Sequence, residues 1–218
     1  MTVLAKDLRI ELRSGEIFLT TTLFALLVVL LSAFAFNLNS LSASDVSSGV
    51  LWIAIAFSGL LSLSRTYARE REFGVWNAML LAPIESSALF LGKALGVLVL
   101  LLLTEAVLLP IIQLFFHAPL LDNLLSLLPI LLLGTLGYAL VGTLFAAMTV
   151  RTRLKELLLG VILYPLIAPI LISGVKATGV ILSGEGLAAA ADYLRLLVVI
   201  DVLYGLGGLW LFGTLMED

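Results

Sequence analysis

Few side chains in this 218-residue chain have a type and a sequence context that suit chemistry. The main candidate is Glu105, a lone carboxylate inside a long apolar run. A charge at the centre of a bilayer is costly, so an ionisable residue in a membrane span is by default a candidate for substrate passage or energy coupling. A neutral or paired structural role stays open, since the sequence names no partner. Asp201 lies in a later apolar run, six residues after Arg195, where a simple structural pair is the favoured interpretation.

The only histidine, His117, lies at the end of an apolar run. An imidazole there can ligate haem iron or a metal, although a polar interface residue is the more frequent role of a lone histidine. Pro165 and Pro169 fall inside one apolar run and remove backbone donors, so the helix there is expected to bend or break. A kink without function and a border of a transport pathway are equally favoured.

Motifs for catalysis are absent from the sequence. There is no G-x-S-x-G, no H-E-x-x-H, no cluster of metal ligands and no cysteine. A phosphate-binding loop is excluded around Gly92-Lys93, because Ser87 stands where its first glycine is required and Ala94 follows the lysine. We therefore expect no enzymatic activity, no bound ATP and no metal in this chain.

Composition assigns the chain to the polytopic membrane proteins. Hydrophobic residues make up 61% and charged residues 12%, whereas a soluble domain has about half and about a quarter. The length accommodates about six spans of about 20 residues each. We predict a single all-α transmembrane domain over residues 1–218, without a cleavable signal peptide and with spans at about 17–36, 49–64, 88–116, 124–150, 154–175 and 194–215.

The segments between the spans have their own patterns. Residues 1–16 predict a helix lying in the membrane interface, with leucines on one side and basic residues beside them: Leu4, Leu8, Leu12, Lys6, Arg9 and Arg13. Residues 176–193 form an outer segment, in which 182–193 is too polar to span and is expected to form a short surface helix. Span two is expected to continue as a helix through Glu72.

Charge distribution predicts the orientation. With the N-terminus in the cytoplasm, ten of the twelve lysines and arginines lie inside, and only Lys176 and Arg195 lie outside. Positive residues are retained on the cytoplasmic side, so both termini are predicted to be cytoplasmic.

Small residues recur along span four. Thr135, Ala139, Thr143 and Ala147 are spaced by four, and Gly134, Gly137 and Gly142 lie nearby. Such a face lets helix backbones approach closely. Packing within one subunit is favoured over a dimer interface.

The longest charged interruption, residues 65–93, separates spans two and three. Its part at 65–87 is predicted to be a cytoplasmic coupling loop, with a short amphipathic turn that fits a groove on a soluble partner. An anchor in the lipid interface, with Trp76 in the aromatic belt, is the alternative. The residues expected to make this contact are Arg65, Arg69, Glu70, Arg71, Glu72, Gly74, Trp76, Asn77, Leu80 and Pro83.

Five stretches, read in order, resemble a known family. They are DLRIELRSGE, WIAIAFSGLLSLSRTYARERE, NAMLLAP with LGK after it, LGTLGYALVGTLFAAMTVRTR and LYPLIAPILI. Each is mostly apolar and weak alone, but their order and spacing are specific over nearly the whole length. The chain resembles the haem exporter protein B (CcmB) family, permease-like subunits of the ABC-2 type.

The resemblance implies a set of partners and a location. These are two copies of an ABC ATPase that supplies the ATP hydrolysis, a second permease copy, a haem-handling membrane protein and a periplasmic haem chaperone, in the bacterial inner membrane. It implies haem as a candidate substrate in c-type cytochrome biogenesis, where ATP hydrolysis releases the loaded chaperone. Nothing in it implies a nucleic acid partner or a resident cofactor.

The chain departs from the family pattern in one segment. Members of the family often read D-G-S-L-E-Q-L where residues 73–79 read FGVWNAM, so the glycine is kept at Gly74 and the acidic positions are not.

An ABC-2 permease that exports a drug, lipid or glycan is the alternative function. A secondary transporter is disfavoured, because neither an internal repeat nor a set of polar midplane residues is evident.

Overall fold

The structure is a computed structural model that describes residues 2–36, 43–72, 85–149 and 155–217. The described residues form seven α-helices and no strand. They are α1 (Thr2–Ser14), α2 (Glu16–Ala35), α3 (Ala43–Glu72), α4 (Ser86–Phe116), α5 (Leu124–Thr149), α6 (Lys155–Leu182) and α7 (Ala191–Glu217). Helices α2 to α7 are long and apolar enough to cross a membrane, which confirms the predicted all-α fold with six spans.

The helices differ in how much of their surface is covered by the rest of the chain. In the apolar stretch of α3, 72% of residues are buried, whereas the values for α2 and α7 are 28% each. Helix α5 packs against α3, α4, α6 and α7. Helices α3 and α5 are therefore the inner pair, and α2 and α7 have the most surface left for lipid or another protein.

The corner between α1 and α2 depends on Gly15. Its φ of 60° lies in the left-handed region, which glycine adopts without steric cost. Glycine offers no side chain to cap α2, and Glu11 supplies the cap instead, because its Oε1 accepts a hydrogen bond of 2.8 Å from the Phe18 backbone N–H. This cap fixes the angle at which the N-terminal helix meets the first span.

A buried ion pair fastens α1 to α4. Lys93 is 1% exposed, and its Nζ lies 2.7 Å from Oδ2 of Asp7. The other oxygen of Asp7 lies 3.1 Å from Nζ of Lys6. Of the leucines in the predicted interfacial stripe, Leu4 lies over Gly96 of α4 and Leu12 is exposed.

Helix α6 continues through both of its prolines, so the predicted break at Pro165 and Pro169 is absent. Two hydroxyl groups donate hydrogen bonds to backbone carbonyls in this stretch. Tyr204 Oη donates to the Leu166 carbonyl at 2.7 Å, and Ser173 Oγ donates to the Pro169 carbonyl at 2.7 Å. These bonds tie the proline-containing stretch to α7 and to the next turn of α6.

The predicted short helix at 182–193 is also absent. Helix α6 extends to Leu182, turns occupy 183–184 and 187–190, and α7 begins at Ala191. Gly184 and Gly186 have φ values of 85° and 80°, and a left-handed glycine ends a helix. The polar segment is therefore a compact turn between two long helices.

Helix α3 extends well beyond the predicted second span at both ends. It begins at Ala43, six residues before the predicted start, and it continues to Glu72 as the sequence suggested. Phe116 and Leu124, which end α4 and begin α5, are joined by a turn in which Gln113 Oε1 accepts a 2.7 Å hydrogen bond from the Leu121 N–H.

Removing the carboxylate at position 7 should destabilise the protein. Asp7→Ala removes the carboxylate that lies 2.7 Å from the buried Lys93 ammonium, and the free energy of unfolding in detergent should fall by up to about 3 kcal/mol. Thermal unfolding of the purified protein measures the change.

The matched control is Arg195→Gln, which breaks the exposed Asp192–Arg195 pair and should change stability by less than about 1 kcal/mol. The double variant Asp7→Leu/Lys93→Met should recover most of the loss. Equal melting curves for Asp7→Ala and the parent protein would show that the pair does not fasten α1.

Candidate functional site

Glu105 lies inside the helix bundle and is held by a threonine of the neighbouring span. The side chain is 2% exposed, and Thr135 Oγ1 of α5 donates a hydrogen bond to its Oε1. Its Oε2 has no hydrogen-bond partner among the described residues. Thr135 is the partner that the sequence could not name, because only the fold brings residues of α4 and α5 together.

Asp201 of α7 is the second carboxylate buried within the described parts of the six long apolar helices, 8% exposed, and neither of its oxygens has a partner within the described ranges. The predicted pairing with Arg195 is wrong, because the Arg195 guanidinium binds Asp192 at 2.8 Å. The Asp201 carboxylate packs against Gly137 and lies beside Ile170 in that same packing region. A Cβ at position 137 would overlap one carboxylate oxygen, so glycine there makes the room for Asp201.

The two carboxylates lie at similar depth on opposite sides of α5. Glu105 is eleven residues from the end of α4 and Asp201 is ten from the start of α7, which places each about 15 Å from the same face of the bundle at 1.5 Å per residue. Their neighbours on α5, Thr135 and Gly137, are two residues apart and point about 200° apart around the helix. The fold thus positions two acidic groups around α5 without bringing them into contact.

The small residues of α5 are used within the one chain. Gly134 lies against Trp52, Gly142 lies against Leu63, and Thr143 and Ala139 are fully buried. The interpretation as packing within one subunit is therefore confirmed for these residues.

Of the remaining predicted residues, those that the structure describes lie at the two faces of the bundle. His117 is exposed at the end of α4 with a left-handed φ of 55°. At the other face, Arg65 is exposed on α3, and Arg69, Glu70, Arg71 and Glu72 continue that helix, with their side chains outside the described part. The predicted contacts Gly74, Trp76, Asn77, Leu80 and Pro83 also lie outside the described residues.

Two buried groups were missed by the sequence reasoning. The sequence marks Lys93 as a positive charge near the membrane and excludes it from a phosphate-binding loop, although its helical neighbours Leu89 and Val97 are apolar and signal a buried face. Trp52 was treated as part of an apolar run, although its ring is 1% exposed and its Nε1 donates a 3.0 Å hydrogen bond to Thr178 Oγ1. Nothing in the spacing could have paired residues that are this distant in sequence.

Gly137→Ala should test the packing around Asp201. The added Cβ overlaps the carboxylate and approaches Ile170 to 3.0 Å, so the free energy of unfolding should fall by about 1–3 kcal/mol, as in overpacked cores. Gly207→Ala on α7, where a Cβ meets nothing within 4 Å, is the control, and thermal unfolding in detergent is the measurement.

Asp201→Ala in the Gly137→Ala background removes the overlapping group and should restore part of the stability. If Gly137→Ala and Gly207→Ala melt alike, the proposed packing of Asp201 on α5 is wrong.

Comparison with known proteins places this arrangement in a family. A family model described as "CcmB protein" matches residues 1–206, from α1 into α7. Heme exporter protein B of Rhodobacter capsulatus is 34% identical over 186 residues, which cover 85% of this chain and 84% of that protein.

Two further relatives carry the same name. Heme exporter protein B of Paracoccus denitrificans is 33% identical over 175 residues, covering 80% of both chains. Heme exporter protein B of Pseudomonas aeruginosa is 30% identical over 182 residues, covering 84% of this chain and 81% of its own. A match that extends over nearly the whole helix bundle, with relatives of one name, shows that the chain belongs to the CcmB family.

Proposed function

We propose that this chain is the non-catalytic permease subunit of a haem exporter of the ABC type that serves c-type cytochrome biogenesis. The observation that carries the proposal is the identity of 34% with a Heme exporter protein B over most of both chains. The six apolar helices supply a membrane domain of the kind that such a subunit requires. Haem is the substrate, and no resident cofactor is part of the proposal.

We place the protein in the bacterial inner membrane as one transmembrane domain with both termini in the cytoplasm. The bias of ten positive residues to two supports this orientation. The ion pair between Lys93 and Asp7 belongs to that cytoplasmic side, and His117 with the turns at 183–190 belongs to the periplasmic side.

The cytoplasmic end of α3 and the segment up to residue 87 form the coupling loop of the proposal. Helix α3 extends to Glu72 without interruption, and Arg65 is exposed near that end. A helix of this length is stiff enough to carry a displacement from a docked ATPase into the membrane. In the assembly, two ATPase subunits act on two permease copies, next to a haem-handling membrane protein and a periplasmic haem chaperone whose release follows ATP hydrolysis.

The route of the substrate is assigned to the bundle around α5. Ionisable groups within a membrane span mark pathways by default, and Glu105 and Asp201 lie on two sides of this helix. Pro165 and Pro169 border the same region from α6, where the Tyr204 hydroxyl reaches the Leu166 carbonyl. The exposed imidazole of His117 is the candidate haem contact at the periplasmic end.

The proposal is tested by purifying the protein from its native membrane in mild detergent and identifying its companions. An ATPase together with haem-binding proteins is the expected result. An ATPase without any haem protein would support an ABC exporter but would indicate a substrate other than haem. Absence of an ATPase would refute the assignment to an ABC exporter.

Changes in the coupling loop should weaken the ATPase contact. Trp76→Ala and Gly74→Pro should reduce co-purification of the ATPase without changing membrane insertion, because one removes an aromatic anchor and the other fixes the backbone at the glycine that the chain shares with the family. Trp210→Ala, which truncates an exposed tryptophan on α7, is the matched control. Normal co-purification in both loop variants would exclude docking through this segment.

Glu105→Gln should lower the output of c-type cytochromes at unchanged protein level. The amide keeps an acceptor for Thr135 but removes the carboxylate, and output should fall about tenfold if that group contributes about 1.4 kcal/mol to one step. Holocytochrome c is measured by haem staining in a strain lacking the native subunit.

Thr135→Val is the companion variant, since it removes the hydrogen bond and keeps the carboxylate. Full cytochrome output from both Glu105→Gln and Glu105→Leu would point to an apolar pathway in which Glu105 has no part.

A further inference from the structure

Trp52 occupies a notch formed by two helices other than its own. Its indole ring lies directly over Gly134 of α5 and Gly174 of α6, and a Cβ at either glycine would overlap ring atoms. Its Nε1 donates to Thr178 Oγ1 of α6 at 3.0 Å, and both groups are buried. One side chain of α3 is thereby fixed to two neighbours, sterically on both sides and by a hydrogen bond on one.

The contact between α3 and α5 continues from Trp52 toward the coupling loop. Tyr138 of α5 lies over Gly59, and its hydroxyl donates to the Ala56 carbonyl at 2.8 Å. One turn further along α5, Leu63 of α3 lies over Gly142. Tyr67 then donates to the Thr143 carbonyl at 3.2 Å.

These contacts resist sliding. Trp52, Tyr138 and Leu63 each lie in a gap that exists only because the facing residue is glycine, so a shift along the helix axis would drive them against the next turn. Close-packed interfaces have discrete arrangements and do not deform continuously. Helices α3 and α5 are therefore locked in register over about 22 Å, from Trp52 to Tyr67 at 1.5 Å per residue.

The contacts between α3 and α5 extend away from the coupling loop, where the ATPase is proposed to act. Trp52 lies twenty residues from Glu72, the end of α3 nearest the coupling loop, which is about 30 Å along the helix. Helix α3 carries a displacement applied at that end to the opposite half of the membrane. There, Trp52 contacts both α5 and α6.

We propose that Trp52 is a positioning residue that makes α3, α5 and α6 move as one body, so that a displacement of the coupling loop reaches the far half of the membrane. The inference rests on the proposed function, since it needs an ATPase acting on the loop. It assigns to one side chain the transmission between the site of ATP hydrolysis and the substrate route.

The test compares variants that disturb the notch with a variant of the same helix that does not. Gly174→Ala pushes the ring out of its notch, and Thr178→Val removes the hydrogen bond with little change of volume. Gly179→Ala is the matched control on α6, because a Cβ there would make only ordinary contacts of 3.7 Å. Trp52→Ala removes the wedge altogether, and the two other notch variants keep the test valid if it fails to fold.

Three quantities are measured on the complex with its partner ATPase: the amount assembled, the rate of ATP hydrolysis, and the holocytochrome c formed per assembled complex. Gly174→Ala and Thr178→Val should keep the first two and lower the third by about 2- to 30-fold, the range for residues that transmit coupling between sites. Gly179→Ala should match the parent protein in all three.

Suppression gives a second readout. Trp52→Phe in the Gly174→Ala background provides a smaller ring but also lacks the donor to Thr178, so holocytochrome c formation per complex should rise only to the level of Thr178→Val. Unchanged output per complex in Gly174→Ala and Thr178→Val, or a loss that follows only the amount of assembled complex, would overturn the inference. An absent ATPase in the parent preparation would instead refute the proposed function beneath it.

Discussion

The close approach of α5 to the helices around it is the contact on which the rest of the bundle depends. Lipid tails are as apolar as leucine, so burial from water does not hold membrane helices together, and close packing with hydrogen bonds must do so. Gly134 and Gly142 admit side chains of α3, Gly137 admits the Asp201 carboxylate of α7, and Thr135 bonds Glu105 of α4. Three helices are thus positioned by one.

This arrangement divides the neighbours of α5 by the kind of contact they make. Helix α3 is locked to α5 by bulky side chains in glycine gaps, whereas α4 is held at Glu105 by a side-chain hydrogen bond. Interlocked packing has discrete arrangements and moves as a unit. In the proposed function, the interlocked contact between α3 and α5 carries the displacement across the membrane.

Composition and charge were sufficient to predict the helical class, the number of spans and the buried position of Glu105, because hydrophobic length reports directly on the bilayer. The pairings were not accessible: Glu105 with Thr135, Lys93 with Asp7 and Trp52 with Thr178 join residues on different helices. The sequence predicts a bend or break at Pro165 and Pro169, but α6 is helical through both positions. The bond from the Tyr204 hydroxyl to the Leu166 carbonyl beside them joins α7 to α6 and was likewise accessible only from the fold.

Site-specific crosslinking in intact cells tests the central claim, that ATP-driven movement enters the bundle at the end of α3. A photocrosslinking amino acid is placed at position 76 in the coupling loop and, separately, at position 117 on the opposite face. An adduct with an ABC ATPase is expected from position 76 and none from position 117. An ATPase adduct from position 117, or none from position 76 in a strain that makes c-type cytochromes normally, would contradict the claim.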